Sequence, residues 1–128
     1  MINDMGILRT TLSVAALHAP DHRREVRDVM VDTGSEYNWI PEPLLAELGV
    51  VPVRTDRFET ADGRVLEREV GFALIHAAGR STATVVVFAQ EGDMMLLGAI
   101  GLEGMNLRID LVRCELVPAG PVPVAVAA

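Results

Sequence analysis

The sequence predicts an all-β fold, built from many short strands with one or two short helices. Short runs in which apolar residues alternate with polar ones cover much of the chain. Turn-forming Gly, Pro and Asp residues separate these runs at close spacing, and residues 43–48 have the pattern of a helix. The chain has 128 residues, of which 50% are apolar, so these strands fit one compact β-barrel or sandwich.

The N-terminal part of the chain contains two predicted strands. Residues 7–17 alternate loosely between apolar and polar side chains, and residues 24–32 contain the apolar triplet Val29–Val31. Between them, Pro and Asp within residues 19–22 favour a tight reversal. The triplet indicates that the second strand becomes buried on both faces as it ends.

A short helix is predicted at residues 43–48. Pro43 stands where a helix tolerates proline, in its first turn. Three leucines then form an apolar stripe, and Gly49 follows as a stop signal.

The middle of the chain predicts a β-hairpin. Residues 50–60 and 65–77 are extended segments on either side of the tetrapeptide Ala61–Arg64. Its Asp-Gly pair indicates a tight turn, because both turn positions must tolerate positive φ. A second turn at residues 78–81 leads into residues 82–89, whose Val-rich composition indicates a buried strand.

The last part of the chain combines an apolar segment, a pair of strands and a tail. Residues 94–101 are apolar but too rich in glycine for a stable helix throughout. Alternation over residues 105–111 predicts a half-buried strand, with residues 114–117 as its partner. We therefore expect one domain over residues 1–117, followed by a flexible or interface tail over residues 118–128.

The charge balance argues against two classes of partner. All 11 basic residues are arginines, and 18 acidic residues bring the net charge to −7. A net-acidic surface repels both phosphate backbones and anionic lipids, so we expect neither nucleic acid nor a membrane as a partner. No apolar run reaches the roughly 18 residues that a membrane-spanning helix needs.

Cysteine and histidine usage favours a protein without disulfides, metals or cofactors. Cys114 is the one cysteine and has no internal partner, which makes the cytoplasm the default location, and the N-terminus has no signal-peptide pattern. His18, His22 and His76 are scattered, without the spacing typical of zinc ligands.

One segment combines an aspartate with hydrogen-bond donors. Asp32 follows the apolar triplet directly, and Thr33, Gly34 and Ser35 come next. Gly34 lets backbone amides approach the carboxylate, because no side chain stands in the way. Ser35 offers a hydroxyl to the carboxylate, and Thr33 offers another that points to the opposite side.

This segment resembles the Asp-Thr-Gly-Ser signature of aspartic proteases. The family's second element, two bulky apolar residues and a glycine packed behind the active-site loop, is matched by Leu96, Leu97 and Gly98. The family's flap hairpin is matched in position by the turn of Ala61, Asp62 and Gly63. The match covers residues 7–117 and is similar to the retroviral-type, retropepsin-like members with a single lobe. It implies a compact, closed, barrel-like aspartic protease fold.

The resemblance implies an aspartic endopeptidase that hydrolyses extended peptide or protein substrates. Such chemistry needs two carboxylates that share one proton: one activates water, and the other polarises the scissile carbonyl and protonates the leaving nitrogen. The chain has one Asp-Thr-Gly, and neither Asp62 nor Asp110 has comparable neighbours. The second carboxylate must then come from a second copy, which predicts a homodimer with both Asp32 residues at the two-fold axis.

The same resemblance implies roles for the remaining motif residues. Thr33 is similar to the threonine that braces the two active-site loops across the dimer axis. Gly34 supplies backbone amides, and Ser35 supports the outer carboxylate oxygen. The flap turn would close over an extended peptide and exclude water from the dyad.

Two other interpretations stay open from the sequence. A non-catalytic peptide-binding or scaffolding module can share this fold, although the intact motif around Asp32 favours the enzyme. Alternatively, Asp32 forms an ordinary Asx turn at the end of a strand in a monomeric β domain. A monomer mass in solution would support that second interpretation.

Overall fold

The computed structural model describes residues 7–125, which form nine strands and two short helices. The strands are β1 (Arg9–Ala15), β2 (Arg23–Val31), β3 (Asn38–Pro41), β4 (Arg54–Glu59), β5 (Val65–Ala77), β6 (Arg80–Ala89), β7 (Leu96–Leu97), β8 (Leu107–Asp110) and β9 (Glu115–Pro118). The helices are α1 (Glu42–Glu47) and α2 (Ala99–Gly104). The predicted fold class, mostly β with one or two short helices, is confirmed.

Seven strands form one sheet, in the order β1-β2-β7-β3-β6-β5-β4, and β8 and β9 form a separate antiparallel pair. Two neighbouring pairs in the large sheet, β2 with β7 and β3 with β6, are parallel. The long strand β5 pairs with β4 at its start and with β1 at its end, where Leu74–His76 lie opposite Ser13–Ala15. This strand therefore links the β4–β5 hairpin to the first strand of the fold.

Two groups of buried apolar side chains support the sheet. The larger group brings β1, β2 and β7 together through fully buried residues such as Leu12, Val29 and Leu97. Burial of each such side chain contributes about 1.5–3 kcal/mol. The smaller group is centred on Trp39 and Val87 and lies on the other side of β3 and β6. Trp39 is thus a core residue.

Most predicted elements lie close to the observed ones. The second strand and the helix are each displaced by a single residue from the predicted 24–32 and 43–48. The predicted extended segment 50–60 is a strand only over β4. Three elements were not predicted: β3, β7 and α2. Of these, β3 is only four residues long and contains both Asn and Pro, which are rare in strands.

The predicted division into a domain over residues 1–117 and a tail over 118–128 stays a prediction. The last described strand, β9, ends at Pro118, and residues 1–6 and 126–128 lie outside the described part of the chain. Within residues 7–125, no helix is long and apolar enough to span a membrane.

Candidate active site

Asp32 is positioned by the pairing of β2 with β7. Val31 lies opposite Leu97 in this parallel pair, and the Asp32 N–H donates to the Leu97 carbonyl at 2.9 Å. The Val31 N–H donates in turn to the Leu8 carbonyl at 2.9 Å. The backbone of Asp32 is therefore fixed to a buried strand at the point where the chain leaves the core.

The turn after Asp32 presents a backbone donor to its carboxylate. The Gly34 N–H donates to Asp32 Oδ1 at 3.0 Å, and the Ser35 N–H donates to the Asp32 carbonyl at 3.1 Å. Asp32 is half-buried, whereas Thr33 and Gly34 are exposed. The Ser35 hydroxyl donates to the Tyr37 carbonyl at 3.4 Å rather than to the carboxylate. In a single chain, the motif thus supplies an amide donor to Asp32 and leaves Thr33 facing solvent.

Gly98 allows α2 to pack directly against the active-site loop. A Cβ at Gly98 would lie only 2.4 Å from the Tyr37 carbonyl oxygen, so the approach requires glycine. The first amides of α2 use this proximity: the Ala99 N–H donates to the Ser35 carbonyl at 2.8 Å, and the Ile100 N–H donates to the Glu36 carbonyl at 3.1 Å. The predicted Leu-Leu-Gly element does lie behind the loop that carries Asp32.

Asn38 is a site residue that sequence reasoning missed. It is fully buried, and its Oδ1 accepts the Gly98 N–H at 3.0 Å. Its Nδ2 donates to the Val85 carbonyl at 3.0 Å and lies 3.4 Å from the Thr84 hydroxyl. One amide therefore connects the active-site loop, the Gly98 turn and β6. An asparagine between Tyr37 and Trp39, within an otherwise apolar stretch, was the available signal.

A cleft of about 1230 Å³ opens above Asp32. One wall is the active-site loop, from Asp32 to Trp39. The second wall is the β4–β5 hairpin, here called the flap hairpin, through Thr55–Ala61, Arg64 and Leu66. The third wall is the loop before β7, through Gly92–Met94. A hairpin thus overhangs the aspartate, and the volume is somewhat larger than the roughly 300–1,000 Å³ of typical small-molecule pockets.

Aromatic side chains join the flap hairpin to the active-site loop. Phe58 of β4 packs edge-on against Trp39, with ring centroids 5.0 Å apart, and against Tyr37, with centroids 5.8 Å apart. Edge-to-face pairs of this kind stabilise by about 0.5–1.5 kcal/mol beyond the area they bury. They give the floor of the cleft an aromatic surface next to Asp32.

The other aspartates of the cleft are already paired with arginines. Arg54 Nε lies 3.0 Å from both carboxylate oxygens of Asp56. Arg68 binds Asp93 through two hydrogen bonds, and this contact is the main cause that lowers the pKa of Asp93 below its usual value. Asp32 is thus the cleft aspartate to which the structure gives no arginine partner among residues 7–125.

The predicted site residues are only partly brought together. Five of them line the cleft: Asp32, Gly34, Ser35, Ala61 and Leu96. Asp62 and Gly63 form the outer turn of the flap hairpin, where Asp62 accepts hydrogen bonds from the Thr60 hydroxyl and from Arg64. These donors lower the pKa of Asp62. Asp62, whose sequence neighbours differ from those of Asp32, thus receives its donors from the turn itself.

Within the described residues, no group of three or more His, Cys, Asp or Glu side chains could hold a metal ion. His76 lies at the far end of β5 from the flap hairpin. What the cleft offers chemically is a carboxylate with an amide donor, an overhanging hairpin and an apolar floor.

Comparisons with known proteins agree with this arrangement. A family model described as aspartyl protease matches residues 22–102, a range that includes Asp32, the flap hairpin and Gly98. No curated protein matches the sequence. Among solved structures, the chain is similar to the solution structure of simian foamy virus (mac) protease, with a TM-score of 0.52 and 17% identity over 74% of this chain and 91% of that one. The chain therefore belongs to the aspartyl protease family, and its fold is similar to that of a retroviral protease.

Proposed function

We propose that the protein is an aspartic endopeptidase that acts as a homodimer on extended peptide or protein substrates. The observation that carries the proposal is the position of Asp32, which lies beneath the flap hairpin with an amide donor at 3.0 Å. Asp56 and Asp93 line the same cleft but are bound to arginines. A carboxylate held by an arginine favours its ionised form and cannot readily hold the shared proton of a catalytic pair.

In this proposal the two catalytic carboxylates are Asp32 of each copy. One removes a proton from a water molecule, which attacks the scissile carbonyl carbon. The other, protonated, donates a hydrogen bond to the carbonyl oxygen and later transfers its proton to the leaving nitrogen. The exposed Thr33 side chain is free to bond across the dimer axis, whereas the Ser35 hydroxyl braces the active-site loop through the Tyr37 carbonyl.

The flap hairpin would hold the substrate by its backbone. An extended peptide beside the hairpin can make main-chain hydrogen bonds, which tolerate many sequences. The cleft between the flap turn and Asp32 gives such a peptide room, and closure of the turn of Ala61, Asp62 and Gly63 would exclude water. The pairing of β1 with β5 supports a sheet that closes into a barrel behind this cleft. We retain the cytoplasm as the proposed location.

The proposal is tested by Asp32→Asn. We expect this variant to fold but to lose peptide cleavage by a factor of about 1000 or more, because amide cannot take up the proton of the attacking water. Cleavage of a peptide library is measured at several pH values, with and without a statine-type inhibitor. Asp21→Asn, in an exposed turn, is the matched control and should cleave like the unmodified protein.

Cleavage by Asp32→Asn at the rate of the unmodified protein would remove Asp32 from the mechanism. If the unmodified protein binds peptides in the cleft without cleaving them, the proposal fails in favour of a peptide-binding module. Since two copies are needed, the specific activity should also rise with protein concentration until dimers predominate.

A further inference from the structure

The flap hairpin is attached at its base to the opposite wall of the cleft by an ion pair between Arg68 and Asp93. Arg68 Nε lies 2.7 Å from Asp93 Oδ2, and the second contact, from Nη2 to Oδ1, is 2.9 Å. The two side chains are only 19% and 11% exposed, much less than those of the other ion pairs among the described residues. A two-point arginine–carboxylate contact of this kind fixes geometry as well as charge.

Asp93 connects this contact to the backbone of the active-site loop. Its carboxylate also accepts the Gln90 N–H at 2.8 Å, which closes the turn before β7. Two residues later, the Met95 carbonyl accepts the Met30 N–H at 3.1 Å. The Leu97 carbonyl, two residues after Met95, accepts the Asp32 N–H. Leu97, whose carbonyl holds the backbone of Asp32, is therefore only four positions along the chain from Asp93.

The other strand of the hairpin is anchored slightly nearer the turn. Phe58 of β4 packs on Trp39 and lies opposite Leu66, two register steps from the pair of Asp56 with Arg68. Beyond this level, the outer turn is held by its own hydrogen bonds: the Thr60 N–H donates to the Arg64 carbonyl at 2.8 Å. The hairpin thus has a base fixed on both strands and an outer turn that is exposed.

We propose that Arg68 and Asp93 are positioning residues, which hold the base of the flap hairpin at a set height over Asp32. Only the outer turn, residues 60–64, then moves to admit a peptide, with the Phe58–Leu66 pair as its hinge. The part of this proposal that concerns peptide rests on the proposed function. The part that concerns the hairpin base can be measured on the protein alone.

The first test measures hydrogen exchange in the free protein. In the unmodified protein, amides of residues 60–64 should exchange at least about tenfold faster than amides of β4 and β5 near Phe58 and Arg68. In Arg68→Gln, fast exchange should spread to the amides of β4 and β5 near Phe58 and Arg68. The exchange rate of the Asp32 amide should not change. Arg24→Gln removes the exposed ion pair with Glu47, away from the cleft, and should change neither region.

The second test measures kinetics on a cleaved peptide. Arg68→Gln should raise KM about tenfold and change kcat by less than about threefold. A hairpin that is no longer held in position binds the peptide more weakly, whereas the catalytic carboxylates are unchanged. Arg68→Lys keeps the charge but loses the two-point contact, so its effect should be intermediate. The double exchange Arg68→Asp with Asp93→Arg should recover part of the lost affinity.

Unchanged exchange at the hairpin base in Arg68→Gln would overturn the proposal, as would an Arg68→Gln enzyme with an unchanged KM. Equal increases of KM in Arg68→Lys and Arg68→Gln would also contradict a role for the charge and the two-point geometry of Arg68. If the unmodified protein cleaves no peptide, the proposed function fails, and the exchange experiment still decides whether Arg68 and Asp93 anchor the hairpin.

Discussion

Asn38 shows how a single buried side chain can organise the active-site region. Its amide accepts the Gly98 N–H and donates to the Val85 carbonyl, and both of these backbone groups belong to buried residues that need hydrogen-bond partners. Asp32 could be identified from the sequence because its motif consists of adjacent residues. Asn38 could not, because its partners lie 60 and 47 residues away and become neighbours only when the sheet forms.

Replacing Asn38 by aspartate should destabilise the fold. Asn38→Asp removes the donor to the Val85 carbonyl and places a charge at a fully buried position. We expect the free energy of unfolding at neutral pH to fall by about 3 kcal/mol or more. Urea denaturation measures this change. The control is Asn106→Asp, in which an exposed amide bonded to the Gly120 carbonyl is changed in the same way. Equal effects at the two positions would contradict the role of burial.

At the scale of elements, local signals identified the hairpins but not every strand. The Asp-Gly pair predicts the turn between β4 and β5, because turn chemistry is encoded in adjacent residues. By contrast, β3 exists through its parallel register with β6, in which Trp39 lies opposite Val87. Helix α2 forms despite glycines at both ends, since its first amides bond to carbonyls of the active-site loop. Both β3 and α2 therefore form because of tertiary contacts rather than local sequence signals.

The strand β5 should make stability depend on pH through His76. Its Nε2 is buried without a hydrogen-bond partner among the described residues, where β5 meets β1. Burial, reinforced by the charge of Arg23, lowers the pKa of His76 in the folded protein. The unfolded chain, with an ordinary pKa of about 6.5, therefore binds the proton first as pH falls. The contribution of His76 to the free energy of unfolding should be complete above about pH 6.5 and should decrease as the pH falls below that value.

The measurement compares urea unfolding at about pH 7.5 and about pH 5.5, a range above most carboxylate titration. His76→Gln should reduce the loss of stability between the two pH values, whereas His22→Gln, at an exposed turn position, should preserve it. An identical loss in His76→Gln and the unmodified protein would show that another group is responsible.

At the scale of the whole molecule, the sequence predicts more about the site than about the arrangement of the strands. Composition and turn spacing indicate an all-β domain, but the order β1-β2-β7-β3-β6-β5-β4 depends on pairings between distant segments. Within residues 7–125, the cleft of one chain brings a single aspartate without an arginine partner beneath the flap hairpin. The proposed reaction needs two such carboxylates, so the central claim is that two chains associate to form one active site.

A subunit-mixing experiment tests that claim most directly. Unmodified protein and Asp32→Asn are combined at constant total concentration, allowed to exchange subunits, and assayed for peptide cleavage. If each active dimer needs both Asp32 carboxylates, activity should fall with the square of the unmodified fraction, to about one quarter in an equal mixture. Activity that falls in simple proportion, to about one half, would show that each chain works alone and would contradict the account.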